Sequence, residues 1–312
     1  MLDRWQAHAA RAQPVDVAAE MSTLALDIVA RALFGTDLGG DGERFVDAVQ
    51  AAMGYAQHVL DHLFVPPLVI PTPTNVRARR ALGIVERILR GMIHARRRAP
   101  DAGRDLLTAL VHARDADTND AMDERQLRDE CLTILTAGHE TPAVSLTGTW
   151  YLLGEHPAVE RRLHAELAEV LGGRVPSVAD LDRLGYTRQM LEESLRLYPP
   201  AWALPRQAYE EDEIGGYRVL AGTPVTLSPY VTHRHPDFWE DPERFDPDRF
   251  APERRAALGE YAYLPFGGGP RGCIGREFAM LEARLILAMV AQRFRLERVP
   301  GPPVVAHPVL TL

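Results

Sequence analysis

Apolar side chains recur every three to four positions through most of residues 1–198, the spacing that gathers them on one face of an α-helix. Met21, Leu24, Ile28, Val29 and Leu33 mark a helix over 16–34, and Gly35 supplies its stop. Further helices are predicted over 43–60, 76–98, 105–113, 124–154, 158–171 and 186–198, the last ended by Pro199-Pro200. Pro66, Pro67, Pro71 and Pro73 break the chain into a loop after the second helix, and 117–123 is polar loop.

The pattern changes after Pro200. Residues 214–219 and 223–227 predict short strands with a glycine turn between them. Residues 236–252 are irregular and rich in aromatic, proline and charged side chains, and a last helix is predicted over 276–294. Many helices, few strands and no alternating strand–helix rhythm predict a mainly α fold with small β-sheets rather than a doubly wound sheet. The expected organisation is one domain in three stretches: helix-rich 1–198, strand and irregular 199–265, and a glycine loop with the last helix over 266–295.

The 312 residues, 46% hydrophobic, suffice for a large core. A net charge of -8 without charged blocks gives no nucleic-acid arm. Cys131 and Cys273 stand far apart, which is no disulfide framework and fits a reducing cytoplasm. No run of eighteen apolar residues offers a membrane anchor. Lysine is absent, which excludes Schiff-base chemistry and phosphate loops that need it. The basic run Arg96-Arg97-Arg98 reads as a solvated helix end, where cations suit the C-terminal dipole.

Chemistry concentrates in Phe266-Gly267-Gly268-Gly269-Pro270-Arg271-Gly272-Cys273-Ile274-Gly275. One cysteine stands at the mouth of a helix, whose unpaired N–H groups and partial positive charge favour a thiolate. A lone thiolate is a poor structural zinc site, which wants four ligands, and a good single axial ligand for haem iron. The loop resembles the haem-binding signature of the cytochrome P-450 superfamily, the well-known thiolate-ligated haem family, with Phe266, Gly269, Arg271, Cys273 and Gly275 at its fixed positions. The resemblance implies that Cys273 ligates the iron of haem b and Phe266 shields the sulfur. It also implies that the glycines let the backbone pass under the macrocycle and that Arg271 pairs with a propionate. Arg206 is a candidate for a second propionate contact, and Ala203, Leu204 and Val225 are candidates to face substrate.

Three more segments carry the resemblance, in the family's order along the chain. Ala137-Gly138-His139-Glu140-Thr141 is similar to the oxygen-activation motif, which implies proton handling by Thr141 and Glu140. Pro142 departs from that motif; it has no N–H for the carbonyl of Gly138, so a kink is expected there. Glu193 and Arg196 match Glu-x-x-Arg, and Arg249, in Phe245-Asp246-Pro247-Asp248-Arg249-Phe250, is the third member of a structural ion triad. His233 and His235 have no companions at metal-ligand spacing and read as structural or surface residues.

The implied activity is a bacterial haem-thiolate monooxygenase acting on a hydrophobic small molecule. Its electrons would come from a ferredoxin or flavodoxin with an NAD(P)H reductase, docking through arginines such as Arg276, Arg293 and Arg295. The protein is expected to be a cytoplasmic monomer without nucleic-acid or membrane partners. Family members begin with further helices and strands and end with another strand, so the chain reads as lacking both ends, with weakened haem affinity expected. Two alternatives stay open: a peroxide-driven peroxygenase, and a non-catalytic haem-binding fragment.

Overall fold

The computed structural model describes residues 1–62, 64–99, 103–302 and 304–312. It divides into two compact units, with the boundary at Ala143 within one long helix.

The first unit is helical. It holds α1 (Leu2–Ala10), α2 (Val17–Phe34), α3 (Asp41–Asp61), α4 (Pro73–Arg98), α5 (Leu106–His112) and the start of α6 (Glu124–Glu155). Local chemistry sets the helix starts. The side chains of Asp16, Thr72 and Asp105 accept hydrogen bonds from the backbone N–H groups of Ala19, Asn75 and Thr108, satisfying donors that a helix leaves orphaned. Gly35 ends α2 in the left-handed conformation at φ 54°, which glycine adopts without a steric cost. The core joins Leu26, Val29 and Phe34 of α2, Phe45 and Val49 of α3, and Val85 and Leu89 of α4. Leu107 of α5 and Leu127, Cys131 and Leu135 of α6 complete it.

Arg96 corrects the reading of the basic run. Its side chain is buried, whereas Arg97 and Arg98 are exposed. It pairs with the Asp105 carboxylate, donates to the Thr108 hydroxyl, and reaches the carbonyl oxygen of Phe34 at 3.1 Å. One guanidinium thus ties the end of α4 to the start of α5 and the end of α2. A buried charge persists where it is paired and hydrogen-bonded throughout.

Among its described residues the second unit contains the rest of α6, α7 (Pro157–Leu171), α8 (Gly185–Leu197), four short strands, the short helices α9 (Pro229–Thr232) and α10 (Pro252–Ala256), and α11 (Arg276–Ala291). β1 (Leu204–Gln207) pairs antiparallel with β4 (Pro224–Leu227), and β2 (Asp212–Ile214) with β3 (Tyr217–Val219). The strand prediction needs correcting here. Residues 214–219 are not one strand but a hairpin, because Gly215 and Gly216 both take positive φ (59° and 85°) and form its turn. β1 carries no alternating pattern and was not expected. The final helix ends at Ala291, three residues before the predicted Phe294. No described helix is long and apolar enough to cross a membrane.

Candidate active site

The glycine loop runs from Phe266 into α11. A single 3-10 turn over Gly269–Arg271 lifts the chain, and Gly275 caps the helix. Gly267 and Gly269 stand at φ 68° and 63°, where side chains other than glycine are strained. A side-chain carbon on Gly272 would meet the Gly269 carbonyl oxygen at 3.3 Å, a tight contact that the turn would have to relax to admit. The Cys273 N–H donates to the Phe266 carbonyl oxygen at 2.9 Å, folding the loop back on itself. Cys273 is exposed, and its Sγ lies 3.9 Å from where a side chain on Gly275 would begin. Arg271 is exposed on the same loop, and Arg206 lies exposed on β1 with Nη1 donating to the Pro205 carbonyl oxygen.

The donor set bears on what the sulfur could hold. No cluster of three or more His, Cys, Asp or Glu side chains among the described residues could cage a metal ion. An accessible single sulfur above a loop of small residues therefore suits a metal that brings its own planar donors, which is what iron protoporphyrin does. The residues present fit haem.

Glu193 and Arg196 stand one turn apart on α8, both fully buried. Arg196 Nε and Nη2 donate to the two carboxylate oxygens at 2.6 and 2.9 Å, a bidentate pairing. The remaining donors reach main-chain oxygens: Nη1 to His233 (2.8 Å) and Pro242 (2.6 Å), Nη2 to Arg244 (3.1 Å). Glu193 accepts the Asp246 N–H at 2.8 Å and lies 3.4 Å from Arg249 Nε, while Arg249 Nη2 holds the Asp241 carbonyl oxygen. The three side chains come together, and what they grip is the backbone of the irregular stretch.

Sequence reasoning passed over an aromatic clamp in the same region. Trp239 Nε1 donates to the Ala262 carbonyl oxygen at 3.2 Å, and the Tyr263 hydroxyl donates to that of Glu192 at 2.9 Å. The Phe250 and Tyr263 rings stand 4.7 Å apart, and the Arg196 guanidinium lies 5.0 Å from the Trp239 ring. The available signal was the density of aromatic residues in 236–252.

In the first unit, Glu140 and Thr141 lie on α6, which continues through Pro142. The Thr141 hydroxyl donates to the Ala137 carbonyl oxygen at 2.8 Å. His139 is buried, its Nε2 2.8 Å from the Ser22 hydroxyl, and burial pushes its pKa down to about 4. Of the arginines expected to meet a redox partner, Arg295 is held by Glu160 at 2.7 Å and Arg276 lies 3.8 Å from Glu277. Arg293 is exposed.

Comparison with known proteins gives the family. The family model described as Cytochrome P450 matches residues 1–308. Cyclooctatin synthase of Streptomyces melanosporofaciens is 40% identical over 305 residues, covering 96% of this chain and 66% of that protein. Pentalenene oxygenase of Streptomyces avermitilis is 35% identical over 283 residues, covering 90% and 62%. The crystal structure of the cytochrome P450DA heme domain superposes with a TM-score of 0.86 at 31% identity, covering 96% of this chain and 66% of that one. The chain thus spans just under two thirds of the length of these relatives. It is a member of the cytochrome P450 family.

Proposed function

We propose that this chain carries the oxygen-activating centre of a haem-thiolate monooxygenase. The observation that carries the reading is the accessible Cys273 sulfur at the mouth of α11, on a loop whose Gly267 and Gly269 take positive φ. Haem b, bound through this sulfur, would supply dioxygen activation and transfer of one oxygen atom to a carbon centre. The chain's own residues would do the rest. Cys273 would donate electron density, Phe266 would help shield the sulfur once haem covers it, and Gly269 and Gly275 would leave room for the ring. Arg271 and Arg206 offer guanidinium groups to the propionates. Glu140 and Thr141 would handle the protons that reduction of dioxygen consumes. Glu193, Arg196 and Arg249 keep the loop in register.

The substrate proposed is a hydrophobic small molecule. Two Streptomyces relatives support that class by name: a pentalenene oxygenase and a cyclooctat-9-en-7-ol 5-monooxygenase, the second 39% identical over 291 residues. Electrons would come from a ferredoxin or flavodoxin and its NAD(P)H reductase, with Arg293 the least committed docking cation. A cytoplasmic monomer is the proposed state.

The test is the absorption spectrum of the reduced carbon monoxide complex. A strongly red-shifted main band is expected for the wild-type chain and its loss for Cys273→Ser; an identical spectrum in both overturns the assignment. With reductant and ferredoxin supplied, Thr141→Ala is expected to divert electrons to hydrogen peroxide. Turnover with added peroxide alone, indifferent to Thr141 and Glu140, would favour a peroxygenase.

A further inference from the structure

His233 sits between the buried ion triad and the cysteine loop, and both ring nitrogens are engaged. The ring is fully buried. One nitrogen, Nε2, lies 2.9 Å from the backbone N of Leu264, and the other, Nδ1, lies 3.1 Å from the carbonyl oxygen of Arg196. These partners settle the tautomer. The Leu264 N–H can only donate, so Nε2 is the bare acceptor; the Arg196 oxygen can only accept, so Nδ1 carries the proton. Burial pushes the ring's pKa down to about 4, which keeps it neutral and Nε2 free to accept.

Arg196 and His233 are bonded in both directions. The Arg196 side chain holds the His233 backbone oxygen at 2.8 Å, and the His233 side chain holds the Arg196 backbone oxygen. Neither residue can shift without breaking a bond made by the other. Beyond Leu264 the path is short, because Phe266 follows two residues later and its carbonyl oxygen takes the Cys273 N–H at 2.9 Å. Trp239 and the Tyr263 hydroxyl hold Ala262 and Tyr263, each one or two residues further from the loop.

We infer that His233 is a positioning residue for Cys273: it carries the rigidity of the Glu193–Arg196 pair to the entry of the cysteine loop through the Leu264 N–H. The inference takes its functional meaning from the haem-thiolate reading, but the geometry it asserts belongs to the protein without haem. A generic core histidine would be replaceable by any side chain of similar size. A relay requires an acceptor where Nε2 stands.

The two amide isosteres separate these cases. His233→Gln can present an acceptor at the Nε2 position, whereas His233→Asn keeps a donor near Nδ1 and falls short of Leu264. Backbone hydrogen exchange of the haem-free full chain is the measurement. His233→Asn is expected to speed exchange at Leu264 and Cys273 by ~10-fold or more, the loss of about one buried hydrogen bond. His233→Gln is expected to stay within ~3-fold of wild type by the same reasoning. After haem loading, the Asn variant should show a larger unshifted fraction in the reduced carbon monoxide spectrum and the Gln variant should not. Equal exchange in both variants, or faster exchange around Arg196 with Cys273 unchanged, overturns the relay. Should both variants fail to fold, nitrogen NMR of ring-labelled wild-type protein decides: a protonated Nδ1 with Nε2 accepting from Leu264 is expected, and a protonated Nε2 overturns it. Loss of the red-shifted band in every protein, with the exchange pattern intact, would instead count against the haem-thiolate reading.

Discussion

A side-chain carbon placed on Gly138 would stand 2.8 Å from Cγ2 of Val29, closer than carbon atoms approach one another. The glycine before Glu140 and Thr141 is therefore demanded by the packing of α2 on α6, whatever else the motif does. Gly138→Ala is expected to destabilise the chain by ~1–3 kcal/mol, the usual cost of overpacking a filled core. Adding Val29→Ala should return part of that loss, since it removes the clashing methyls. A denaturant titration of the two single variants and the double variant gives the coupling, and strict additivity would show that the contact does not set the residue.

Arg96, Arg97 and Arg98 should differ sharply despite their adjacency. Arg96→Leu leaves the part-buried Asp105 without its charged partner, and breaking such a pair costs up to roughly 3–5 kcal/mol. The bonds from Arg96 and Thr108 outweigh burial and hold the Asp105 carboxyl below its ordinary pKa, so the loss should be largest near neutral pH and shrink as acid protonates Asp105. Arg97→Ala and Arg98→Ala, at exposed positions, should stay within about 0.5 kcal/mol of wild type. Thermal melts of the three variants make the comparison.

Glu282 brings a pH dependence of its own. It is buried on α11 with no hydrogen-bond partner for either carboxylate oxygen, and burial pushes its pKa up to about 8. Below its ordinary carboxylate pKa the group is neutral whether the chain is folded or not. As pH rises from there towards 8 the unfolded chain ionises and the folded chain does not, so stability is lost through this window and levels off above it. The full loss is on the order of 3–5 kcal/mol. Glu282→Gln cannot ionise. Urea midpoints at pH 5, 6.5 and 8 should fall less steeply for this variant than for wild type, and matching slopes would refute the assignment.

The two cysteines should report separately on folding. Cys131 is buried and its thiol is pushed up to about 11 by burial and by neighbouring Glu130, while Cys273 is exposed. Thiolate is the reactive form, so a chromogenic disulfide reagent at pH 8 should titrate one thiol rapidly in the native haem-free chain. The second should react only at the rate of unfolding. Two fast thiols would mean that the core around Leu127 and Leu135 is open.

Much of the helical frame is legible in the sequence because it is written locally. The α2 stripe, the Asp16 cap and the Gly35 stop all act within a turn or two of the residues that encode them. The cysteine loop and the Glu193–Arg196 spacing are legible for the same reason. What stays hidden is decided by distant partners. Arg96 looks like any basic residue at a helix end until Asp105 and the Phe34 carbonyl oxygen enclose it. His233 differs from exposed His235 only through Arg196 and Leu264. β1 exists because β4 pairs with it, and Leu204-Pro205-Arg206-Gln207 has no pattern that announces a strand.

Arg196 grips oxygens that every amino acid supplies, at His233, Pro242 and Arg244. Apart from His233 and Trp239, whose side chains make contacts of their own, the intervening stretch is therefore fastened by its course through space and not by the identity of its side chains. Exposed positions there, such as Asp237 and Glu240, are free to drift in sequence, while a deletion of one residue would carry the oxygens out of reach. Length is what this segment must preserve.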